Sequence, residues 1–389
     1  MKILYILPGK YFLSKAGGCI SHVTGVIDAL KEENHEVFFC SSDKIPYYSS
    51  SLEYKLLQVN QYKIKKIGSL YEDYIVYKQI RNVIKDVNPD IIYIRWKQNL
   101  FWSKLFKGRE YKLIFECNTP PTMALLKDNR ANIIRSLISK YLDRQICRNA
   151  DIISAISSEV KSFIINNISA VDEKIIVNPN GVDPKKFKPE GKNCRGKLNI
   201  SINDVVIGYS GNIEDWHGVD TLINAFQLLD KNIYSNIKLL IIGPGDKFYL
   251  GKLYGIAGKK YFKDIIFTGI VPYNEMPEYL RTCDILVSPQ KPYIGKVLHQ
   301  SPIKLYEYMA TERAIIASNI GQIKRVIKNN FNGLLFESSN EYELANNIKL
   351  LLDDEILRNK IASNARIDAV NRYSWKNNVK RFLSAIKGS

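Results

Sequence analysis

The sequence predicts an α/β protein made of two doubly wound parallel sheets, one following the other along the chain. Three observations carry that expectation. Short apolar runs rich in Ile and Val alternate with longer amphipathic stretches, the pattern of βα units around parallel sheets. A turn-rich segment, Asn178-Pro179-Asn180-Gly181-Val182-Asp183-Pro184, interrupts the alternation, which then begins again. The length, 389 residues, exceeds one ordinary core and suits two domains of about 180 residues each.

In the first half the strand candidates are Lys2–Leu7, Glu36–Cys40, Asp90–Ile94, Lys112–Cys117, Asp151–Ile156 and Lys174–Val177. The segment after the first of them places Ile20, Val23, Ile27 and Leu30 near helical spacing on one face. Beyond the break, Lys185–Lys197 is basic and shows no core pattern. Strands are then expected at Val205–Tyr209, Lys238–Ile242, Asp264–Thr268, Asp284–Ser288, Ala314–Ser318 and Gly333–Phe336. Helices are expected at Gly218–Leu229, Met276–Arg281, Pro302–Ala310 and Glu341–Leu352, and Asp353–Lys387 reads as helical by composition.

Hydrophobic residues make up 46% and charged residues 24%, the balance of a globular chain. Runs such as Val205–Tyr209 fall far short of the ~20 apolar residues a spanning helix needs, and the first eight residues lack a signal-peptide cleavage site. A cytoplasmic protein is expected, with the inner face of the membrane as a surface it can meet. Six cysteines without paired spacing suggest neither a disulfide framework nor a zinc site. The net charge of +17 has three candidate partners: nucleic acid, an anionic membrane surface and phosphorylated substrates. Basic residues form no tail and no RNA-binding signature, so nucleic acid is the weakest of these and is not expected. The basic, Tyr-rich stretches Tyr71–Lys85 and Ile133–Arg148 suit anionic lipid headgroups; solvated lysine faces are the plainer reading.

Three segments carry chemistry. Ala16-Gly17-Gly18-Cys19-Ile20-Ser21-His22 opens a helix after the first strand, and two glycines let backbone approach a ligand while the helix amides attract phosphate. A structural turn explains the glycines equally well. The segment is neither a GxGxxG fingerprint nor a P-loop, which argues against a dehydrogenase or an NTPase. In the second, the strand Val205–Tyr209 runs into Gly211-Asn212-Ile213-Glu214-Asp215-Trp216-His217-Gly218 at the carboxyl end of the sheet, where open α/β sheets bind ligands. His217 there is either a phosphate donor or a solvated loop histidine. The third is Gln300-Ser301-Pro302-Ile303-Lys304-Leu305-Tyr306-Glu307. Ser301 suits an N-cap and Pro302 the first helical position. Lys304 then lies in the first turn, with Glu307 one turn deeper on the same face. The pair fits a nucleoside diphosphate, Lys304 on phosphate oxygens and Glu307 on ribose hydroxyls, or else a surface ion pair.

The chain resembles the GT-B glycosyltransferases, family four of the retaining nucleotide-sugar enzymes. The resemblance rests on Gly-Gly-Cys-Ile-Ser-His at 17–22, Phe-Glu-Cys-Asn-Thr-Pro at 115–120, Asn-Pro-Asn-Gly-Val-Asp at 178–183 and Gly-Asn-Ile-Glu-Asp-Trp-His-Gly-Val-Asp at 211–220. Ile-Gly-Pro-Gly at 242–245, Ser-Pro-Ile-Lys-Leu-Tyr-Glu-Tyr-Met-Ala at 301–310 and Asn-Gly-Leu-Leu-Phe at 332–336 complete the ordered series. It implies two Rossmann-like domains facing across a cleft: an acceptor domain at 1–183, joined by a returning helix at about 372–389, and a donor domain at 184–371. The implied donor-binding residues are Gly17, Gly18, Gly211, Asn212, Ser301, Ile303, Lys304, Leu305 and Glu307. Lys304, Glu307 and His217 are the implied catalytic residues, and His22, Glu116 and Asn118 lie on the acceptor side.

The implied reaction is transfer of a sugar, a hexose, from a nucleoside diphosphate sugar to a hydroxyl of a glycan or lipid-linked acceptor, with retention. Cell-surface polysaccharide or glycolipid synthesis is the expected setting. No Asp-X-Asp triplet is present to hold a metal, and no cofactor is expected. The chain departs from the family pattern at three places. Asn212 and His217 stand where an Arg and a Lys are common, His299 stands where a first glutamate is common, and Glu116-Cys117-Asn118 lacks a common histidine. These substitutions resemble a branch carrying Glu-X-Asn and Trp-His-Gly, and they leave Lys304 with more of the charge neutralisation. A sugar-nucleotide epimerase of the same fold and a non-catalytic nucleotide-sugar-binding partner subunit are the alternatives.

Overall fold

The computed structural model describes residues 1–8, 18–45, 48, 52–57, 68–106, 108–125, 133–168, 170–292 and 301–388. In chain order the first half contains β1 (Lys2–Ile6), α1 (Gly18–Glu32), β2 (Glu36–Ser41), β3 (Glu53–Leu56), α2 (Gly68–Val87), β4 (Ile91–Arg95), α3 (Trp102–Leu105), β5 (Lys112–Cys117), α4 (Pro121–Leu125), α5 (Ile133–Asn149), β6 (Ile152–Ala155), α6 (Ser158–Phe163) and β7 (Ile175–Val177). The second half contains β8 (Val205–Ser210), α7 (Val219–Gln227), β9 (Ile237–Ile242), α8 (Lys247–Tyr261), β10 (Ile265–Phe267), α9 (Met276–Thr282), β11 (Ile285–Ser288), α10 (Ile303–Ala310), β12 (Ala314–Ser318), α11 (Ile323–Val326), β13 (Leu334–Phe336), α12 (Glu341–Asp353), α13 (Glu355–Arg372) and α14 (Trp375–Lys387).

The chain forms two compact units. One comprises β1, His22–Pro179 and Trp375–Ser389; the other comprises Asn180–Ser374 together with the first turn of α1, residues 18–21. The division thus falls between Pro179 and Asn180, inside the turn-rich segment.

The first unit is built on a seven-stranded sheet in the order β3-β2-β1-β4-β5-β6-β7, with every pairing parallel. Covered on both faces, its strands are apolar nearly throughout, as parallel sheets require: Ile3, Leu4, Tyr5 and Ile6 of β1 are all buried. Ile20, Val23, Ile27 and Leu30 of α1 are buried, as their spacing predicts. α14 completes the core: Phe382 stacks on Tyr93 of β4 at 4.7 Å, and the Asn178 amide donates to the Asn378 carbonyl at 3.2 Å.

The second unit carries a six-stranded parallel sheet, β10-β9-β8-β11-β12-β13. In each sheet the strand order reverses beside the first strand of the unit, between β1 and β4 and between β8 and β11. That reversal opens a crevice at the carboxyl ends of the strands. All twelve expected strands are present. The added strand, β3, is an edge strand of sequence Glu-Tyr-Lys-Leu, half exposed and without an apolar run to announce it. α8 was also not expected; Gly251, Gly255 and Gly258 weaken its helical signal, and Gly258 is kinked at φ +61°. The helical stretch 353–387 is two helices, α13 capped by the Asp354 side chain and α14, parted at Tyr373-Ser374.

Candidate functional site

The site in the second unit grows from the carboxyl end of β8. The backbone turns there at Gly211 (φ +132°), and a Cβ at this residue would lie 3.4 Å from the Lys304 amine. Glycine therefore lets the loop pass close to Lys304 without strain. The loop runs through a short turn at Asp215–His217 into α7, entered at Gly218 with φ +71°. Gly218 tolerates no substitution, since its Cβ would fall 1.7 Å from the Pro289 carbonyl oxygen. α10 is pinned to the same strand: the Tyr308 hydroxyl accepts from the Ser210 amide at 2.7 Å.

At the start of α10 the structure corrects one expectation. Pro302, not Ser301, occupies the N-cap, and no side chain caps the helix. Ser301 Oγ instead accepts from the Asn180 amide at 3.1 Å and pairs with the Tyr306 hydroxyl at 2.8 Å. The serine ties the segment after the unit boundary to α10, so its oxygen is not available to the first-turn amides. The Leu305 amide is also engaged, donating to Pro302 O at 3.0 Å. Leu305 itself is fully buried in the core.

Lys304 projects from this first turn. Its amine sits over the Tyr209 ring, 4.2 Å from the centroid, and is buried without a hydrogen-bond partner among the described residues. Burial lowers its pKa to about 7, against the opposing pull of Glu307. The cation–π contact offsets part of the lost hydration. The Tyr209 hydroxyl donates to the Asn212 carbonyl at 2.5 Å, so the ring under the amine also fixes the loop.

Glu307 is buried one turn further along α10. Its Oε1 accepts from the Ser21 hydroxyl at 3.3 Å, and Ser21 Oγ in turn accepts from the Tyr273 hydroxyl at 2.6 Å. Burial raises the carboxyl pKa to about 7, with the Lys186 charge, the Ser21 and Tyr273 hydroxyls and Lys304 opposing it. Gly18, at the start of α1, stands against Ile303 of α10; a Cβ there would lie 3.3 Å from Ile303 Cδ1.

His217 is buried rather than solvated. Its ring lies against Trp216, centroids 3.6 Å apart, and among the described residues Nδ1 has no hydrogen-bond partner. Burial, reinforced by the Lys304 charge, lowers its pKa to about 2, so the imidazole is neutral. Nearby, Asp220 of α7 is paired with Lys291 at 2.6 Å. The second unit therefore carries Gly211, Asn212 and His217 on one loop, Gly18 at the start of α1, and Lys304 and Glu307 on the first turns of α10. Gly17 and His299 lie outside the described residues.

The first unit holds a different cluster at the carboxyl end of β5. Glu116 is buried; its Oε2 accepts from the Tyr5 hydroxyl at 3.1 Å and lies 3.0 Å from His22 Nε2, while Oε1 is 3.7 Å from Arg95 Nε. Burial pushes the carboxyl up, but the His22 and Arg95 charges and the His22 and Tyr5 donors outweigh it and hold the pKa at about 2. His22 meets Trp375 of α14 edge to face at 4.9 Å. Asn118, two residues past Glu116, buries its Oδ1 without a hydrogen-bond partner among the described residues.

Sequence reasoning singled out Lys304, Glu307, His217, His22 and Glu116; Tyr209, Tyr273, Arg95 and Tyr5, which the structure places against them, it did not single out. Tyr5 and Tyr209 sit mid-strand and read as core. Tyr273 lies 252 residues from Ser21, a distance no local pattern spans.

Two family models match. "Glycosyltransferase Family 4" covers residues 16–186 and "Glycosyl transferases group 1" covers residues 192–368. An uncharacterized glycosyltransferase of Methanocaldococcus jannaschii is 24% identical over 97% of this chain and 96% of its own. The N,N'-diacetylbacillosaminyl-diphospho-undecaprenol alpha-1,3-N-acetylgalactosaminyltransferase of Campylobacter jejuni is 26% identical over 92% of this chain and 93% of its own. Among solved structures, the Anabaena protein HepE in complex with UDP superposes with a TM-score of 0.75 at 16% identity, over 100% of both chains. That likeness shows the fold, and the two models supply the family over both halves. The chain belongs to the group 1 glycosyltransferases, enzymes of the GT-B fold.

Proposed function

We propose that this glycosyltransferase moves a sugar from a nucleoside diphosphate sugar to an acceptor hydroxyl with retention of anomeric configuration. The Lys304 amine supports this best. A buried cation with no hydrogen-bond partner costs free energy until a ligand supplies the counter-charge. A departing diphosphate supplies it. As the bond from the anomeric carbon to the phosphate oxygen breaks, negative charge gathers on the diphosphate. Lys304 and the Ile303 and Lys304 amides stabilise that charge more in the transition state than in the ground state. The acceptor oxygen bonds to the anomeric carbon on the face the diphosphate leaves, and its proton passes to the released phosphate. Neutral His217 adds a hydrogen bond to the diphosphate, and Gly18, Gly211 and Asn212 bring backbone close to it. Glu307 takes the ribose hydroxyls, beside Ser301 and Leu305. His22, Glu116 and Asn118 serve the acceptor. In this reading protein groups neutralise the leaving charge without a metal.

The relatives support the substrate classes. The Anabaena neighbour binds UDP, and the Campylobacter relative acts on a diphospho-undecaprenol-linked sugar. We assign this chain a hexose donor and a lipid-linked glycan acceptor, in surface polysaccharide or glycolipid synthesis. A thermal-shift screen of UDP, GDP, TDP and ADP sugars identifies the donor, since selective binding raises the midpoint. Lys304→Ala is expected to cut turnover by about 100- to 1,000-fold while the unliganded midpoint holds or rises. Unchanged turnover overturns the assignment. Epimerised donor without acceptor makes the chain an epimerase, and binding without turnover makes it a partner subunit.

A further inference from the structure

Helix α5 is amphipathic in the reverse sense to a helix lying on a globular core. The side packed into the first unit presents Ser139, Asp143, Ile146 and Cys147, all buried. Its polar members are held in place: Asp143 accepts from Trp96 Nε1 at 2.9 Å, Gln98 Nε2 at 2.8 Å and the Thr122 amide at 3.0 Å. Ser139 Oγ accepts from Gln98 Nε2 at 2.7 Å. The side turned to solvent presents Ile133, Ile134, Leu137, Ile138 and Tyr141, exposed by 77%, 65%, 63%, 51% and 58%. Steps of three and four residues join them into one continuous stripe.

Charge identifies what covers the stripe. Arg135 and Lys140 lie on either side of it, and Arg144 and Arg148 carry basic charge along its C-terminal continuation. The helix's one acid, Asp143, faces inward. A second copy of a chain of net charge +17 would bring like charges together around the stripe, whereas anionic headgroups supply the missing counter-charges at the depth where Arg and Lys reach them. α2, the other Tyr-rich stretch, sets Lys78, Arg81 and Lys85 against Glu72, Asp73 and Asp86, and among its described side chains it shows no such stripe: Tyr71 and Tyr74 are exposed, but Val76 and Ile80 turn inward.

We propose that α5 is an interfacial helix that lies in the surface of an anionic bilayer, with Leu137, Ile138 and Tyr141 at the acyl boundary and Arg135, Lys140 and Arg148 among the headgroups. A lipid-linked acceptor gives this surface a purpose, and to that extent the inference rests on the proposed function, but membrane binding is read separately from it.

The full chain is sedimented with vesicles of phosphatidylcholine, with and without phosphatidylglycerol. Binding is expected only with phosphatidylglycerol and is expected to weaken as salt rises. Leu137→Glu with Ile138→Glu should lower the vesicle partition coefficient by at least about tenfold, and Lys140→Glu with Arg148→Glu should lower it too. Because these side chains are exposed, the donor-induced thermal shift of each variant should match the parent's, showing that they fold. In a Tyr141→Trp variant the emission is expected to move to the blue on adding anionic vesicles. No binding even at low salt overturns the proposal, as does binding that the Glu pair leaves unchanged. A dimer that the Glu pair dissolves, without vesicle binding, assigns the stripe to a second copy instead. Vesicle binding without any donor-induced shift removes the proposed donor and leaves the membrane surface standing.

Discussion

Both units gather charged residues at the carboxyl side of their sheets and treat them in opposite ways. In the first unit the carboxylate of Glu116 is surrounded by His22, Tyr5 and Arg95, and its pKa stays near 2 despite burial. In the second, burial dominates. The Lys304 amine is pushed toward neutrality at about 7, His217 is neutral, and each has a buried nitrogen with no hydrogen-bond partner among the described residues. In the first cluster protein groups offset the buried charge of Glu116, whereas in the second burial outweighs the charge that faces Lys304. A buried cation left so little compensated points to a bound counter-charge there.

The sharpest test of this contrast is at Glu116. Glu116→Ala leaves His22 and Arg95 beside an empty carboxylate position and is expected to cost about 3–5 kcal/mol of stability, read by urea unfolding. Because the folded carboxyl pKa lies below its ordinary 4.5, its contribution is present above that value and is lost as pH falls from about 4.5 toward 2. The variant should accordingly show a flatter acid limb than the parent. A cost below about 1 kcal/mol would dissolve the contrast, leaving the pair no stronger than an exposed salt bridge.

The next test uses pH and the diphosphate. Free Lys304 titrates near 7, and a bound diphosphate holds it protonated, so binding takes up a proton above that pH. Affinity for the nucleoside diphosphate is expected to fall by up to about tenfold per pH unit above 7. Calorimetry in buffers of different ionisation enthalpy measures the uptake. In the free protein the depressed lysine pKa acts against folding below about 7 and is relieved as pH rises toward 10.5. Lys304→Met should therefore raise the thermal midpoint at pH 6 and do so less at pH 9. An affinity flat from pH 6 to 9 would remove the single-cation account.

The smallest effect is expected at His217. His217→Phe replaces a neutral ring with a neutral ring, so stability should stay within about 0.5 kcal/mol while diphosphate affinity drops about five- to tenfold for one lost hydrogen bond. Equal affinity would exclude the histidine from the site.

The same contrast explains what the sequence disclosed. Strands of a two-faced parallel sheet are written as unbroken apolar runs, so all but the half-exposed edge strand Glu53–Leu56 were legible. Lys304 and Glu307 were legible because three-residue spacing on a helix is a local fact. The role of Ser301 was not: Asn180, 121 residues away, takes its hydroxyl and leaves Pro302 as the cap. The stretch Ile133–Arg148 stood out for its basic charge, but the apolar stripe along it did not. Its apolar residues have core-like spacing, and only the buried Asp143 network shows which side faces in.

The placement of α14 sets an order of assembly. Trp375, Val379 and Phe382 are buried in the first unit, while residues 180–374 pack with one another and with the first turn of α1. During synthesis the later-coded unit can close while the earlier one still lacks part of its core. The amino-terminal sheet must wait, part of its apolar surface uncovered, until the ribosome has delivered Trp375–Lys387.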